Sequence, residues 1–135
     1  LAQTPFDEKG ARFSPDGRWI AYYSNESGSR EVYLRPVGEA GDRARMSSGG
    51  GTMPRWRRDG RELYYLASDN AIMRVPLSTS GGPLKPGAAE VMFRVEGDLR
   101  DFDAAPDGQR FLLDVADPNP ASLTVLSNWT SLVSR

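Results

Sequence analysis

The chain has 135 residues, 39% of them hydrophobic and 26% charged, a formal net charge of −1, and neither cysteine nor histidine. A chain of this size and balance can bury about two-thirds of its surface and reads as a folded domain, while its near-neutral charge excludes the broad positive field that holds nucleic acid. Without Cys there are no disulfides, thiolate nucleophiles or sulfur-ligated metals, and without His the usual catalytic base and the commonest metal ligand are missing.

No apolar run approaches the ~20 residues of a membrane helix and no leader pattern opens the chain, so no direct membrane insertion is expected. Residue 1 is Leu, which points to a chain processed or cut from something larger. Fifteen of the seventeen basic residues are Arg, a bias that genome composition explains as well as stacking on Trp and Tyr does.

Taken from the N-terminus, Ala11 to Tyr23 is a short apolar strand, a Ser14-Pro-Asp-Gly17 turn and an aromatic-rich second strand. Gly accepts positive φ and Asp hydrogen-bonds back to the turn backbone, so Asp-Gly closes a tight hairpin. After a loop from Asn25 to Arg30, Glu31 to Pro36 reads as a third strand, ended by a proline that cannot donate to a ladder, and Arg45 to Ser47 as a fourth. The pattern returns in Pro54 to Leu66 around Asp59-Gly60, followed by the loop Ser68 to Asn70, a third strand Ala71 to Pro76 and a fourth at Val91 to Val95. It returns again in Phe102 to Asp114 around Asp107-Gly108, with Leu123 to Leu126 as third strand after the loop Asp117 to Pro120. From Asn128 onward, Trp129, Leu132 and Val133 stand at helical spacing, and the segment reads as either a short capping helix or an extended strand.

The turn aspartates Asp16, Asp59 and Asp107 recur 43 and 48 residues apart, a period that matches four-stranded propeller blades and exceeds that of most helical solenoids. The expected fold is therefore all-β: three antiparallel four-stranded blades over about 11–47, 54–95 and 102–135. Leu1 to Thr4 precedes Asp16 by the spacing at which Ser47 precedes Asp59, and reads as the outer strand of a further blade. Three blades cannot close a ring. The chain is thus expected to pair with a second copy, giving six blades in a homodimer, or to rely on further blades of a parent chain. In this scheme Phe13 and Trp56, just before their turns, are expected to be buried between blades, and Arg57 and Arg58 to be dispensable.

The units resemble the TolB-like, WD40-like (PD40) propeller repeat, whose core is a Ser-Pro-Asp-Gly turn followed by an Ile-Ala-Tyr type strand. Ser14-Pro-Asp-Gly17 with Ile20-Ala-Tyr22 matches throughout, Asp59-Gly60 with Leu63-Tyr-Tyr65 keeps turn and strand, and Pro106-Asp-Gly108 with Phe111-Leu-Leu113 keeps the proline. The resemblance implies a propeller that recurs in proteins of many functions. It also implies the company of bacterial sensors, kinase-linked regulators or periplasmic proteins, and hence an extracytoplasmic or periplasmic location. The extra N-terminal domain of TolB has no counterpart here, so its partners are not carried over.

No chemistry-bearing constellation stands out. Ser24, Ser27 and Ser47 lack a histidine partner, no Gly-x-Ser-x-Gly elbow occurs, and Ser48-Gly-Gly-Gly51 and Ser80-Gly-Gly-Pro83 lack the helix and Lys-Ser/Thr of a phosphate loop. Arg55, Arg57, Arg58 and Arg61 surround Trp56, but strand neighbours point to opposite faces, so they do not make a nucleic-acid patch. The acidic run Glu96, Asp98, Asp101 and Asp103 lacks EF-hand spacing and reads as a solvated loop. The expectation is a non-enzymatic module with no cofactor and no metal that binds a protein or peptide. The binding face is formed by the loops before each first strand and between second and third strands. Arg55, Glu96, Asp98, Arg100 and Asp101 line it, with Asn25, Glu26 and Asp69 at the rim. The competing expectation is a substrate-gating or carbohydrate-binding part of a larger hydrolase.

Overall fold

A computed structural model describes residues 8–38, 43–78, 85–116 and 124–127, with side chains placed for 9–38, 43–78 and 85–116. Strand β1 (Glu8–Phe13), β2 (Trp19–Ser24), β3 (Glu31–Pro36) and β4 (Ala44–Arg45) form one antiparallel sheet in chain order. The second sheet holds β5 (Gly51–Trp56), β6 (Glu62–Ala67), β7 (Ala71–Ser78) and β9 (Glu90–Arg94), with the two-residue β8 (Lys85–Pro86) on the far end of β7. The third consists of β10 (Asp98–Ala104), β11 (Arg110–Ala116) and β12 (Thr124–Ser127). These are three successive propeller blades. Among their first strands β5 adjoins both β1 and β10, and β4 and β9 lie at the opposite sheet edges. The segments 1–4 and 128–135, read above as an outer strand and a cap, lie outside the described residues, as does the loop at 80–83.

All three Asp-Gly turns have the same internal wiring. Gly17, Gly60 and Gly108 sit at φ of 74°, 75° and 68°, and their N–H groups donate to the carbonyls of Ser14, Arg57 and Ala105. The carboxylates of Asp16, Asp59 and Asp107 each accept the N–H two residues on, at 3.0, 2.9 and 2.9 Å. The left-handed glycine supplies the reversal and the aspartate replaces a lost backbone partner, so the dipeptide specifies the hairpin locally.

The nearly continuous apolar runs of the second strands are explained by burial on both faces. Leu63 and Tyr65 pack on Ala21, Val32 and Leu34 of blade 1, whereas Tyr64, between them in sequence, packs toward Phe111 and Leu113 of blade 3. Tyr64 and Phe93 meet the Phe111 ring edge-on, with centroids 5.1 and 5.4 Å away. Ile20, Tyr22 and Tyr33 make a further buried cluster on the other face of blade 1.

Each first strand carries a bulge, between Lys9 and Arg12, Thr52 and Arg55, and Leu99 and Asp101. Gly10 and Met53 occupy it at φ of 64° and 53°. A side chain at Gly10 would fall 2.8 Å from the Tyr23 ring, so glycine is required there by both conformation and space.

Two expectations are corrected. Phe13 is 61% exposed, although Ile20, opposite it in the hairpin, is buried with Tyr22 and Tyr33, whereas its counterpart Trp56 is half-buried against blade 1 and donates its indole N–H to the Arg12 carbonyl at 3.0 Å. Pro36 ends β3 as expected, but β7 runs past Pro76 to Ser78: the Leu77 N–H reaches the Arg61 carbonyl at 2.8 Å, and the Pro76 carbonyl accepts from Gly87. A proline removes one donor without removing its neighbours'.

Candidate functional site: the loop end of the blades

The loops that join second to third strands, 25–30 and 68–70, lie at the same end of the blades as the loops entering β5 and β10, and opposite the Asp-Gly turns. Their backbone is held by buried groups. The Glu31 carboxylate, fully buried at the start of β3, accepts from Ser47 Oγ at 2.5 Å, Arg45 Nη2 at 2.8 Å, Ser29 Oγ at 3.2 Å and the Gly50 N–H at 3.0 Å. Ser47 Oγ in turn accepts the Val32 N–H at 2.8 Å. Burial alone would raise the Glu31 pKa, but the Ser47 hydroxyl, the Gly50 N–H and Arg45 together outweigh it and hold the carboxyl below its ordinary value. One side chain thereby ties β3, β4 and the loop into β5 together. At the next blade Asn70, at φ 69°, does the equivalent work: its Nδ2 donates to the Val95 and Gly97 carbonyls at 2.6 and 2.8 Å.

The expected site residues fall into separate groups on this scaffold. Arg55 is largely buried: its guanidinium spans blades 2 and 3, donating to the Phe102 carbonyl at 2.9 Å, pairing with Asp101 and lying 5.4 Å from the centroid of the Phe102 ring. Arg100 pairs instead with Asp114 at 3.0 Å, and Asp69 with Arg94 at 3.0 Å, the latter contact holding the Asp69 carboxyl below its usual range. Glu96 and Asp98 are exposed on either side of Gly97 and make no ion pair among the described residues. Asn25 is exposed, its carbonyl accepting the Gly28 N–H at 3.0 Å, while the Glu26 side chain is 5% exposed and paired with Arg43. Arg55 on β5, Asp101 and Arg100 on β10 and Asp114 on β11 thus belong to blades 2 and 3, with Asp98 at the start of β10, Glu96 in the loop before it and Asp69 in the loop between β6 and β7. Asn25 and Glu26 belong to blade 1.

Glu31, Ser47 and Asn70 did not emerge from the sequence as candidates; a carboxylate opening a strand otherwise made of apolar residues was the one available signal. No cluster of His, Cys, Asp or Glu able to hold a metal occurs among the described residues. What the arrangement offers chemically among the described residues is a display of charged pairs.

Comparison with solved structures decides the architecture. A putative TolB from Agrobacterium tumefaciens matches over 96% of this chain and 48% of its own, at 18% identity and a TM-score of 0.68. TolB from Acinetobacter baumannii matches over 90% and 30%, at 19% identity and a TM-score of 0.60. The chain has the TolB-like β-propeller fold. An oligogalacturonate lyase from Vibrio parahaemolyticus shares this propeller too, over 75% of this chain and 26% of its own, at 20% identity and a TM-score of 0.57. The chain spans from about a quarter to about half of these proteins. No family description and no curated protein matches the sequence.

Proposed function

We propose that this TolB-like segment is a non-enzymatic module that binds a protein or peptide at the loop end, with Glu96, Asp98, Asp69 and the Arg55–Asp101 pair as its charged contact points. The observation that carries this reading is the hydrogen bonding around Gly97: Asn70 ties down the carbonyls on both sides of Glu96, and the exposed Glu96 and Asp98 make no ion pair among the described residues. A pre-ordered loop loses little entropy on binding, which favours recognition by charge. Selection of displayed peptides on the immobilised chain tests it. Basic peptides should be enriched and should be lost on the double change Glu96→Lys with Asp98→Lys, but retained on Arg18→Ala at the other end of the blades. Failure to enrich, or equal retention by the charge-reversed chain, overturns it.

Because a lyase shares the propeller, the same preparation is to be assayed with oligogalacturonate and with peptide and ester substrates; saturable turnover abolished by one carboxylate or serine change would replace this reading with the enzymatic one. The reading also includes association with further blades, in a second copy or a parent chain. Leu112, 43% exposed on the face of β11 opposite to Phe111, and Phe13 on blade 1 are two of the four large apolar side chains exposed among the described residues, and are the ones this association would cover. Sedimentation of the chain against Leu112→Asp tests that association; a monomer indifferent to the change refutes it for this chain.

A further inference from the structure

At the opposite end, a cleft of about 350 Å³ opens between the Asp-Gly turns of blades 1 and 2. Its apolar lining is Pro15, Trp19, Trp56 and Leu77, and its acidic lining Asp16 and Asp59. Arg61 also reaches it, and Arg57 pairs with Asp59 at 3.3 Å, so Asp16 is the lining carboxylate that makes no ion pair among the described residues. Asp16 is held ionised by the Ser14 hydroxyl at 2.6 Å and the Arg18 N–H at 3.0 Å, both on its Oδ1.

The repeat shows what such a place accepts. At the next junction, the residue equivalent to Ser14 is Arg57, and its side chain lies against the turn of blade 3: Cδ is 3.4 Å from where a Cβ of Gly108 would stand. The Arg57 guanidinium sits 3.3 Å from Asp59 and 3.5 Å from Glu62. Tyr64 fills the same junction, its hydroxyl 2.6 Å from that Gly108 Cβ position. In blade 1 the equivalents of Arg57 and Tyr64 are Ser14 and Ala21, both small, and the equivalent of Asp59 is Asp16. The first junction therefore keeps the aspartate, has Trp19 in place of Glu62 and loses the arginine.

We propose that the cleft between the first two turns binds an arginine side chain of a peptide or protein, its guanidinium meeting Asp16 and its stem lying along Trp19 and Trp56. Indole faces and ionised carboxylates are the two groups that favour a weakly hydrated planar cation. This surface lies at the far end of the blades from the loops, so either proposal can fail while the other stands.

The test uses intrinsic fluorescence. The chain has three tryptophans, and Trp129→Phe leaves Trp19 and Trp56, both in the cleft, as the reporters. N-acetyl-argininamide should produce a saturable change at low salt, and N-acetyl-citrullinamide, its uncharged near-isostere, should not. Asp16→Asn keeps the turn's acceptor and should weaken binding by about tenfold. Ser14→Arg should supply the missing side chain from within and abolish the response. No saturable change, an equal response to the citrulline amide, a response to methyl glucoside alone, or undiminished binding by folded Ser14→Arg, checked by far-ultraviolet circular dichroism, overturns the proposal.

Discussion

Replacing Glu31 by Ala probes whether one buried carboxylate holds the loop end of the blades together. The change strands a buried hydroxyl and a backbone N–H, those of Ser47 and Gly50, and each group left without a partner costs about 1–3 kcal/mol. Arg45 adds less, since its side chain is 45% exposed and turns to water once released. The expected loss is about 3–5 kcal/mol for Glu31→Ala, against about 1 kcal/mol or less for Arg45→Ala. Urea denaturation followed by far-ultraviolet circular dichroism measures both, and a Glu31→Ala, Ser47→Ala cycle should show coupling because the two side chains share one hydrogen bond. The same carboxylate sets a pH dependence. Its folded pKa lies below its ordinary value, so its stabilisation is present above the unfolded pKa of about 4.3 and is lost as pH falls through the folded one. The stability lost between about pH 5 and pH 3 should shrink in Glu31→Gln. A Glu31→Ala chain within about 0.5 kcal/mol of the parent, or no costlier than Arg45→Ala, would refute the reasoning.

Other perturbations separate the interior of the fan from its ends. Trp56→Ala should cost about 2–3 kcal/mol and Phe13→Ala under about 0.5 kcal/mol, although the two are repeat equivalents, because Trp56 is half-buried against blade 1 and Phe13 is 61% exposed; equal losses in urea melts would contradict the packing. Phe111→Ala should cost about 3–5 kcal/mol and its neighbour Leu112→Ala under about 1 kcal/mol, since one faces blade 2 and the other is 43% exposed; a reversed order would place β11 the wrong way round. Gly108→Ala should lower the thermal midpoint more than Gly17→Ala: both are left-handed, but only at Gly108 does a Cβ run into the Tyr64 hydroxyl.

The turns were legible in the sequence because their chemistry is local: a left-handed glycine and an aspartate bonding two residues ahead need nothing from the rest of the chain. The blade number followed from the spacing of those turns. Interactions between blades were not legible. Arg55 and Asp101 are 46 residues apart, and nothing in either segment says that β5 and β10 adjoin with those side chains facing. Arg57 looked like a surface arginine, yet it lies in the junction that Ser14 leaves open in the preceding blade. Phe13 and Trp56 share one repeat position and differ in burial because contacts between distant segments, and no property of the residues themselves, remove a side chain from water.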